Sequence, residues 1–464
     1  MSSFTIVAYL VAAGFFIIGL KRLNSPATAR HGNTISAIGM TIAIVATLID
    51  RQVVTYGTII AGMIVGSTIG WIMAVRAKMT AMPQLVALLH GIGSAAALLV
   101  ACAEYLRAVQ LNMPMETVVG IATQVSIVIS GLTFSGSIIA FAKLQELMTG
   151  KPVLFRGMPV MMGGTLLATL GLAVWQITAF IPPLGPFYSV IALSLLLGVL
   201  FVLPIGGADM PVVISVLNSS AGIAAAMAGF VIQNPILILS GSMVGSAGII
   251  LSQIMCRAMN RSLSNVLFGA FATAGPATVS GKTSAGLTVK SVTPEDAAMM
   301  LAYAQFVIVV PGYGLAVAQA QHLVRELADL IEKRGGDVRY AVHPVAGRMP
   351  GHMNVLLAEA NIPYDKLYEM DAINEEFDRA DVALVIGAND VVNPAARTDP
   401  TSPIYGMPIL NADHAKAAIV LKRGMSAGFA GIENELFYAP KTWMLFGDAK
   451  ASLTKLVAEV KSIS

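Results

Sequence analysis

Gly312, Gly314 and Val317 set out a Gly-x-Gly-x-x-Val turn between an apolar run at 306–310 and a helix-forming stretch. A strand ending in such a turn and passing into a helix lets backbone N–H groups come close to a pyrophosphate, with the helix N-terminus facing the anion. Tyr313 and Ala316 lie inside this turn. Three more segments fall where an α/β sheet presents ligands, at the carboxyl ends of strands. One is 346–351, with Gly347, Arg348, Met349 and Pro350; another is 387–390, with Gly387, Asn389 and Asp390. The third, 424–431, holds Gly424, Met425, Ser426, Gly428, Phe429 and Ala430. Arg348 suits a phosphate and Asp390 a ribose hydroxyl or a nicotinamide amide.

The choice between dinucleotides rests on the second strand and on a pair of cations. An NAD site places an acid at the end of the second strand to bond the ribose 2′-hydroxyl. Here the expected strand at 338–343 ends in His343-Pro344, and Lys422-Arg423 follows the apolar run 417–421. Adjacent cations at a strand end suit a 2′-phosphate, so NADP(H) is the expected cofactor. No Ser/His/Asp or Cys/His arrangement and no metal spacing stands out. Hydride transfer needs neither, nor a protein acid or base, because the cofactor carries the chemistry.

The elements that must hold this site alternate. Strands are expected near 306–310, 338–343, 382–386, 407–410, 417–421 and 442–445, with helices near 315–334, 352–360 and 451–460. That rhythm predicts a Rossmann-like, doubly wound, mostly parallel sheet. Thr293-Pro294-Glu295-Asp296 predicts a capped helix start. Residues 256–290 read as a flexible connector between a domain at 1–255 and one at 291–464.

Residues 1–255 are of another kind. The chain is 56% hydrophobic and 12% charged, against about 25% charged for ordinary soluble domains. A bilayer core needs about 20 apolar residues per helix. Nine candidates stand near 3–20, 33–48, 56–75, 82–103, 117–141, 158–180, 185–203, 209–231 and 234–254, which makes this half a polytopic helical membrane domain. With the C-terminal domain cytosolic and the N-terminus outside, the inner connections hold Lys21, Arg22, Arg30, Arg76, Lys78, Lys143, Lys151, Arg156, Arg257 and Arg261, and the outer ones only Arg51 and Arg107. The positive-inside rule favours that orientation. The net charge of +3 and the lack of a polybasic or aromatic-interleaved run give no sign of nucleic acid. Cys102 and Cys256 have no metal spacing.

Polar groups inside such helices are functional candidates. His90 lies about eight residues into the fourth helix and Asn218 about nine into the eighth, each roughly 12–13 Å deep at 1.5 Å per residue. Thr123, Ser126, Ser130, Thr133 and Ser137 form one stripe on the fifth. An imidazole beside an amide and hydroxyls is a candidate proton relay. The competing reading is plain packing, since hydroxyl stripes also let helices approach closely. Asp209 stands at the edge of the eighth helix, as an N-cap or as a contact to the nucleotide domain.

The chain as a whole resembles the β subunit of proton-translocating NAD(P)+ transhydrogenase. The resemblance rests on Leu88-Leu89-His90, on Gly207-Ala208-Asp209-Met210-Pro211 leading to Leu217-Asn218-Ser219, and on Pro311-Gly312-Tyr313-Gly314-Leu315-Ala316. It continues through Val342-His343-Pro344-Val345-Ala346-Gly347-Arg348-Met349-Pro350-Gly351, Gly387-Ala388-Asn389-Asp390, Lys422-Arg423 and Gly447-Asp448-Ala449-Lys450. It implies that His90 and Asn218 lie on the proton path, that Asp209 couples this path to the nucleotide domain, and that the loops above, with Asp448 and Ala449, bind NADP(H). The family's usual serine after Lys-Arg is Gly424 here, and its usual tyrosine before Ala-Gly is Phe429; Ser426 is the candidate substitute donor. The resemblance also implies hydride transfer from NADH on an α-type partner subunit to NADP+ on this chain, in a dimer of heteromers set in the lipid of an inner membrane. A channel or carrier gated by a nucleotide-binding regulatory domain is the alternative, to which Thr55-Tyr56-Gly57 lends a faint filter-like echo. A non-enzymatic assembly subunit is a third, and would bind no NADP(H).

Overall fold

The computed structural model describes residues 3–23, 25–49, 56–149, 152–178, 183–206, 209–272, 288–349, 351–400, 402, 404–428 and 430–463. Thr55, Pro350, Phe429 and the connector stretch 273–287 lie outside the described residues. The chain divides into two compact units, Met1–Gly207 with Val213–Ser252, and Ala208–Val212 with Gln253–Ser464.

Among the described residues, nine helices are long and apolar enough to cross a membrane. They are α1 (Ser3–Leu23), α2 (Pro26–Ile49), α3 (Tyr56–Arg76), α4 (Met82–Gln110), α5 (Thr117–Leu144), α6 (Met158–Thr178), α7 (Leu184–Val202), α8 (Met210–Val231) and α9 (Pro235–Ala258). The second is not short, as its apolar run suggested, because a less apolar stretch holding Thr28, Arg30, His31 and Asn33 forms its first turns. Similarly α4 runs past its apolar stretch, with Glu104 and Arg107 paired at 3.6 Å across one turn. Tyr56 and Gly57 open α3 as ordinary helix, so the described part of the filter-like triplet is not an extended loop.

Small residues set how closely these helices approach, as they do where no hydrophobic force distinguishes helix from lipid. A Cβ at Gly198 of α7 would lie 2.1 Å from Leu132 O of α5. Ser135 of α5 donates to Leu195 O at 2.7 Å. Lys143, 3% exposed, donates from Nζ to the carbonyls of Val202, Leu203 and Ile205 at 3.3, 2.6 and 2.8 Å. It thereby satisfies acceptors that the end of α7 would otherwise leave bare. On α8, Ser215 and Ser219 donate to Gly248 O and Gly245 O of α9 at 3.2 and 2.7 Å.

The second unit continues with α10 (Leu263–Ala272) and α11 (Pro294–Ala302), so the first part of the expected connector is helical. Thr293 caps α11, its hydroxyl accepting from Asp296 N at 3.2 Å. Then come β1 (Phe306–Pro311), α12 (Tyr313–Ala318), α13 (Gln321–Lys333), β2 (Asp337–Val342), α14 (His352–Glu359), β3 (Leu367–Glu369), the one-turn α15 (Met370–Ile373), β4 (Val382–Ile386), the one-turn α16 (Ala395–Thr398), β5 (Ala417–Lys422), β6 (Thr442–Phe446) and α17 (Ala449–Ser462). The six strands form one sheet in the order β3-β2-β1-β4-β5-β6, and every pairing is parallel. This is the Rossmann order, with its switch point between β1 and β4. Val307–Val310 and Val382–Ile386 are buried on both faces, which explains why they read as continuous apolar runs without alternation.

Two expectations are corrected. Residues 407–410 are not a strand: Pro408 has no N–H to give a ladder, and its carbonyl serves His343 Nε2 at 2.8 Å instead. The sixth strand is β3, three residues that pair with Tyr340–Val342 and are too short to show a pattern. The helix expected at 315–334 is two, broken where Gln319 adopts φ +50.

Candidate functional site

The Gly312 turn is built by contact between two loops. Gly312 N donates to Ile386 O at 2.9 Å and Gly314 N to Gly387 O at 3.0 Å. A Cβ on Gly312 would sit 2.3 Å from Gly387 O and 2.4 Å from Ala388 Cα and N. Gly387 itself holds φ +67, a left-handed conformation that glycine adopts without strain. The ends of β1 and β4 thus interlock through backbone alone, leaving a shallow floor at the switch point. Ala316 is fully buried behind it, while Val317 is exposed on α12.

The loop after β2 folds toward this floor. The Arg348 guanidinium lies 4.3 Å from the Tyr313 ring centroid. Tyr313 and His352 rings stand 6.1 Å apart, and His352 Nδ1 accepts from Arg348 N at 3.1 Å. Met349 is buried. His343 is held by backbone on both sides, Nε2 to Pro408 O and Nδ1 accepting from Val345 N at 3.2 Å. Burial pushes its pKa from 6.5 down to about 4, with the Pro408 bond opposing weakly. The unfolded chain therefore binds this proton more readily than the folded one. Stability is present above pH 6.5 and lost as pH falls toward 4, on the order of 3 kcal/mol in all. Replacing His343 with Gln should flatten the unfolding-temperature profile between pH 6.5 and 4; an unchanged acid slope would remove His343 as its source.

The loops after β4 and β5 close on each other. Asp390 Oδ2 accepts from Ala430 N at 2.9 Å, and Asn434 Nδ2 donates to Asn389 O and Oδ1 at 2.9 and 3.0 Å. Gly428 packs where a Cβ would meet Asn389 Nδ2 and Asp390 Oδ1 at 2.5 Å. Lys422 donates to Ser426 O at 2.6 Å; burial holds its amine below the usual range, and the Asp390 charge pulls it back up. Arg423, Met425 and Ser426 are exposed. Gly424 is half-buried, yet no atom would lie within 4 Å of a Cβ there. Arg423 stands 3.7 Å from Asp448, and Asp448 caps α17 through Lys450 N and Ala451 N, beside Ala449. The structure therefore gathers the loops of the Gly-x-Gly turn, Arg348, Asp390 and Lys422 along one sheet edge. Sequence reasoning missed His352, whose ring stands by Tyr313 of the Gly-x-Gly turn, and Asn434, whose partner Asn389 is 45 residues away; neither neighbour is local in the chain.

In the membrane unit the helices carrying His90, Ser130, Ser137 and Asn218 also meet. A Cβ at Gly91 would lie 3.2 Å from Ser137 Cβ, and one at Gly136 3.3 Å from Leu217 Cδ2. Ala97, Ile129, Ala224 and Ala228 share one apolar cluster between α4, α5 and α8. His90 and Asn218 are half-buried, and Ser130 and Ser137 fully so. In the second unit, Asp209 takes two bonds from Arg261 Nη1, at 2.9 and 3.0 Å. Burial lifts the Asp209 carboxyl above its ordinary range despite that guanidinium. Arg261 was read only as a loop charge, since 52 residues separate the pair.

Residues 5–459 match the family model described as NAD(P) transhydrogenase beta subunit. The chain belongs to the NAD(P) transhydrogenase beta subunit family. Two Rhodospirillum rubrum relatives, one of them assigned to a particular strain, carry the name NAD(P) transhydrogenase subunit beta; each is 48% identical over 466 residues, covering 98% of this chain and 98% of its own length. Membership makes this the membrane subunit of a transhydrogenase, working with pyridine nucleotides beside other subunits, and it agrees with a multi-pass helical domain followed by a parallel-sheet domain.

Proposed function

We propose that this beta subunit holds NADP(H) at the carboxyl edge of its sheet and accepts hydride there from NADH carried by an alpha-type partner, with inward proton passage along α4, α5 and α8. The carrying observation is Lys422-Arg423 at the end of β5, together with the absence of an acid after β2. The fit to a dinucleotide is structural. The Gly312 floor admits close backbone approach, Asn389 Nδ2 is buried without a hydrogen-bond partner among the described residues, and Gly424 leaves open space beside the two cations. Gly312 and Gly314 would receive the pyrophosphate, Lys422 and Arg423 the 2′-phosphate, and Asp390 and Asn389 the sugar and amide groups nearby. β5 lies across β4 from β1, so the two cations would hold the 2′-phosphate on the side away from β2, where an NAD site would place its acid.

The cofactor supplies the hydride chemistry; the chain orients it, excludes water and moves the proton. His90 is the proposed carrier, with Asn218, Ser130 and Ser137 on the path and Asp209 linking it to the nucleotide loops. The domains divide the work as 1–255 for the proton, 256–290 as connector and 291–464 for NADP(H), with the C-terminal domain cytosolic and the N-terminus outside an inner membrane. One charge falling through ~150–200 mV releases about 3.5–4.6 kcal/mol. That shifts a redox ratio roughly 300- to 2,000-fold, enough for one proton per hydride.

The test is NADPH and NADH binding to the full chain carrying Lys422→Ala with Arg423→Ala. Two charge-assisted bonds contribute about 1.5–3 kcal/mol each, so NADPH affinity should fall roughly 100- to 10,000-fold while NADH affinity stays low. NADPH binding within about fivefold of the unaltered chain would defeat the 2′-phosphate reading.

A further inference from the structure

Ser94 on α4 and Ser126, Ser130 and Ser137 on α5 are fully buried, and their hydroxyls have no hydrogen-bond partner among the described residues. Membrane-helix hydroxyls usually bond the carbonyl one turn back. Thr123, Thr133 and Ser135 do so here, at 2.7, 2.6 and 3.0 Å. The four exceptions are therefore particular to their positions and not a property of α5. A hydroxyl buried without a partner costs about 1–3 kcal/mol, and water is the usual remedy, making about three bonds in a polar site.

The helix register says where such water would sit. The Gly91 contact with Ser137 and Phe134 lies one turn before Ser94, and one turn after it Ala97 belongs to the cluster that Ile129 packs against. Ser94 thus faces the stretch of α5 that carries Ser130. Residues 126, 130 and 137 share one face of α5. His90 stands one turn from Ser94 on the same helix face.

We propose that Ser94 and Ser130 together hold water between α4 and α5, and that this water takes a proton arriving from the Thr117 end of α5 and hands another on to the His90 imidazole. Each hop breaks one O–H bond and forms one O–H or N–H bond, so no oxidant or further reactant is required. The inference rests on the proton path proposed above. Ser94 is a positioning residue on that path, a hydroxyl that fixes the water and leaves the nicotinamide untouched.

The test uses the complex of this chain with its partner subunits in sealed vesicles, read two ways. One readout is proton uptake during net hydride transfer. The other is hydride exchange between NADH and an oxidised NAD analogue through NADP(H) retained on this chain, which moves no net proton. Ser94→Ala and Ser130→Ala should each slow proton-coupled turnover about tenfold, and the double variant scarcely more, because one shared site is lost once. Ser94→Thr, which keeps the hydroxyl, should recover to within about threefold, and hydride exchange should hold within about twofold throughout. Turnover of Ser94→Ala within about twofold of the unaltered chain, equal loss in both readouts, or a double variant slowed about 100-fold would overturn the proposal. His90→Ala separates the two failures. Coupling retained there overturns the path itself, whereas coupling lost there with Ser94→Ala unaffected overturns only the water site.

Discussion

Replacing Gly312 with Ala should cut NADP(H) affinity about 100-fold and lower the unfolding temperature of the C-terminal domain. The added methyl would meet Gly387 O at 2.3 Å and Ala388 Cα and N at 2.4 Å. Those are backbone atoms, with no rotamer to turn aside. Overpacking ordinarily costs about 1–3 kcal/mol, and here relief requires parting β1 from β4 at the crevice where the pyrophosphate is to lie. The strand hydrogen bond Gly312 N to Ile386 O, at 2.9 Å, would stretch first. NADPH fluorescence titration of the full chain, with calorimetry alongside, reads both effects. A variant that binds NADPH within about threefold of the unaltered chain would place the pyrophosphate elsewhere.

Arg261→Ala should be the most damaging single change at the Asp209 pair. Removing one partner strands the other in a desolvated place. A fully buried pair would lose about 3–5 kcal/mol, and the partial exposure here, 35% for Arg261 and 16% for Asp209, brings that to about 2 kcal/mol. The sign with pH follows from the direction of the shift. Burial already holds the Asp209 carboxyl above its ordinary range, and loss of the guanidinium raises it further. A raised carboxyl contributes its stability below its unfolded value, near 3.9, and loses it as pH rises through the folded value. The variant should therefore melt close to the unaltered protein near pH 4 and well below it at pH 7. Adding Asp209→Asn should erase that slope. A deficit independent of pH would assign the damage to packing and not to the stranded charge.

What could be read from the sequence follows how local the cause is. Gly312, Gly314 and Gly387 were legible because each turn is written in consecutive residues, and the buried central strands because parallel sheets demand unbroken apolar runs. The Thr293 cap was legible for the same reason. Where β3 runs was not, since three residues carry no period, and 407–410 misled because an apolar run containing Pro408 satisfies composition without satisfying a ladder. The break at Gln319 goes with the separate packing of α12 and α13 against α14 and α17, which no residue near it announces. In the membrane half, His90 and Asn218 stood out as rare polar residues among apolar ones. Ser94 did not, because an isolated serine there becomes unusual only once the α4–α5 register turns it toward Ser130. The Asp209–Arg261 pair was hidden by chain separation.

The position of β1 at the centre of the sheet has a consequence for biosynthesis. Val309 pairs with Tyr340 on one side and Leu384 on the other, so the crevice closes across a chain separation of about 75 residues, a long-range contact of the kind that slows folding. A ribosome that has already delivered every membrane span will have released β1 and β2 well before β4 emerges. Until then the apolar edge of β1 stays open, an aggregation hazard that domain-wise folding during synthesis must outlast. Chains stalled between residues 345 and 380 should accordingly be the ones that chaperones hold and proteases clip, and those released beyond 422 should not.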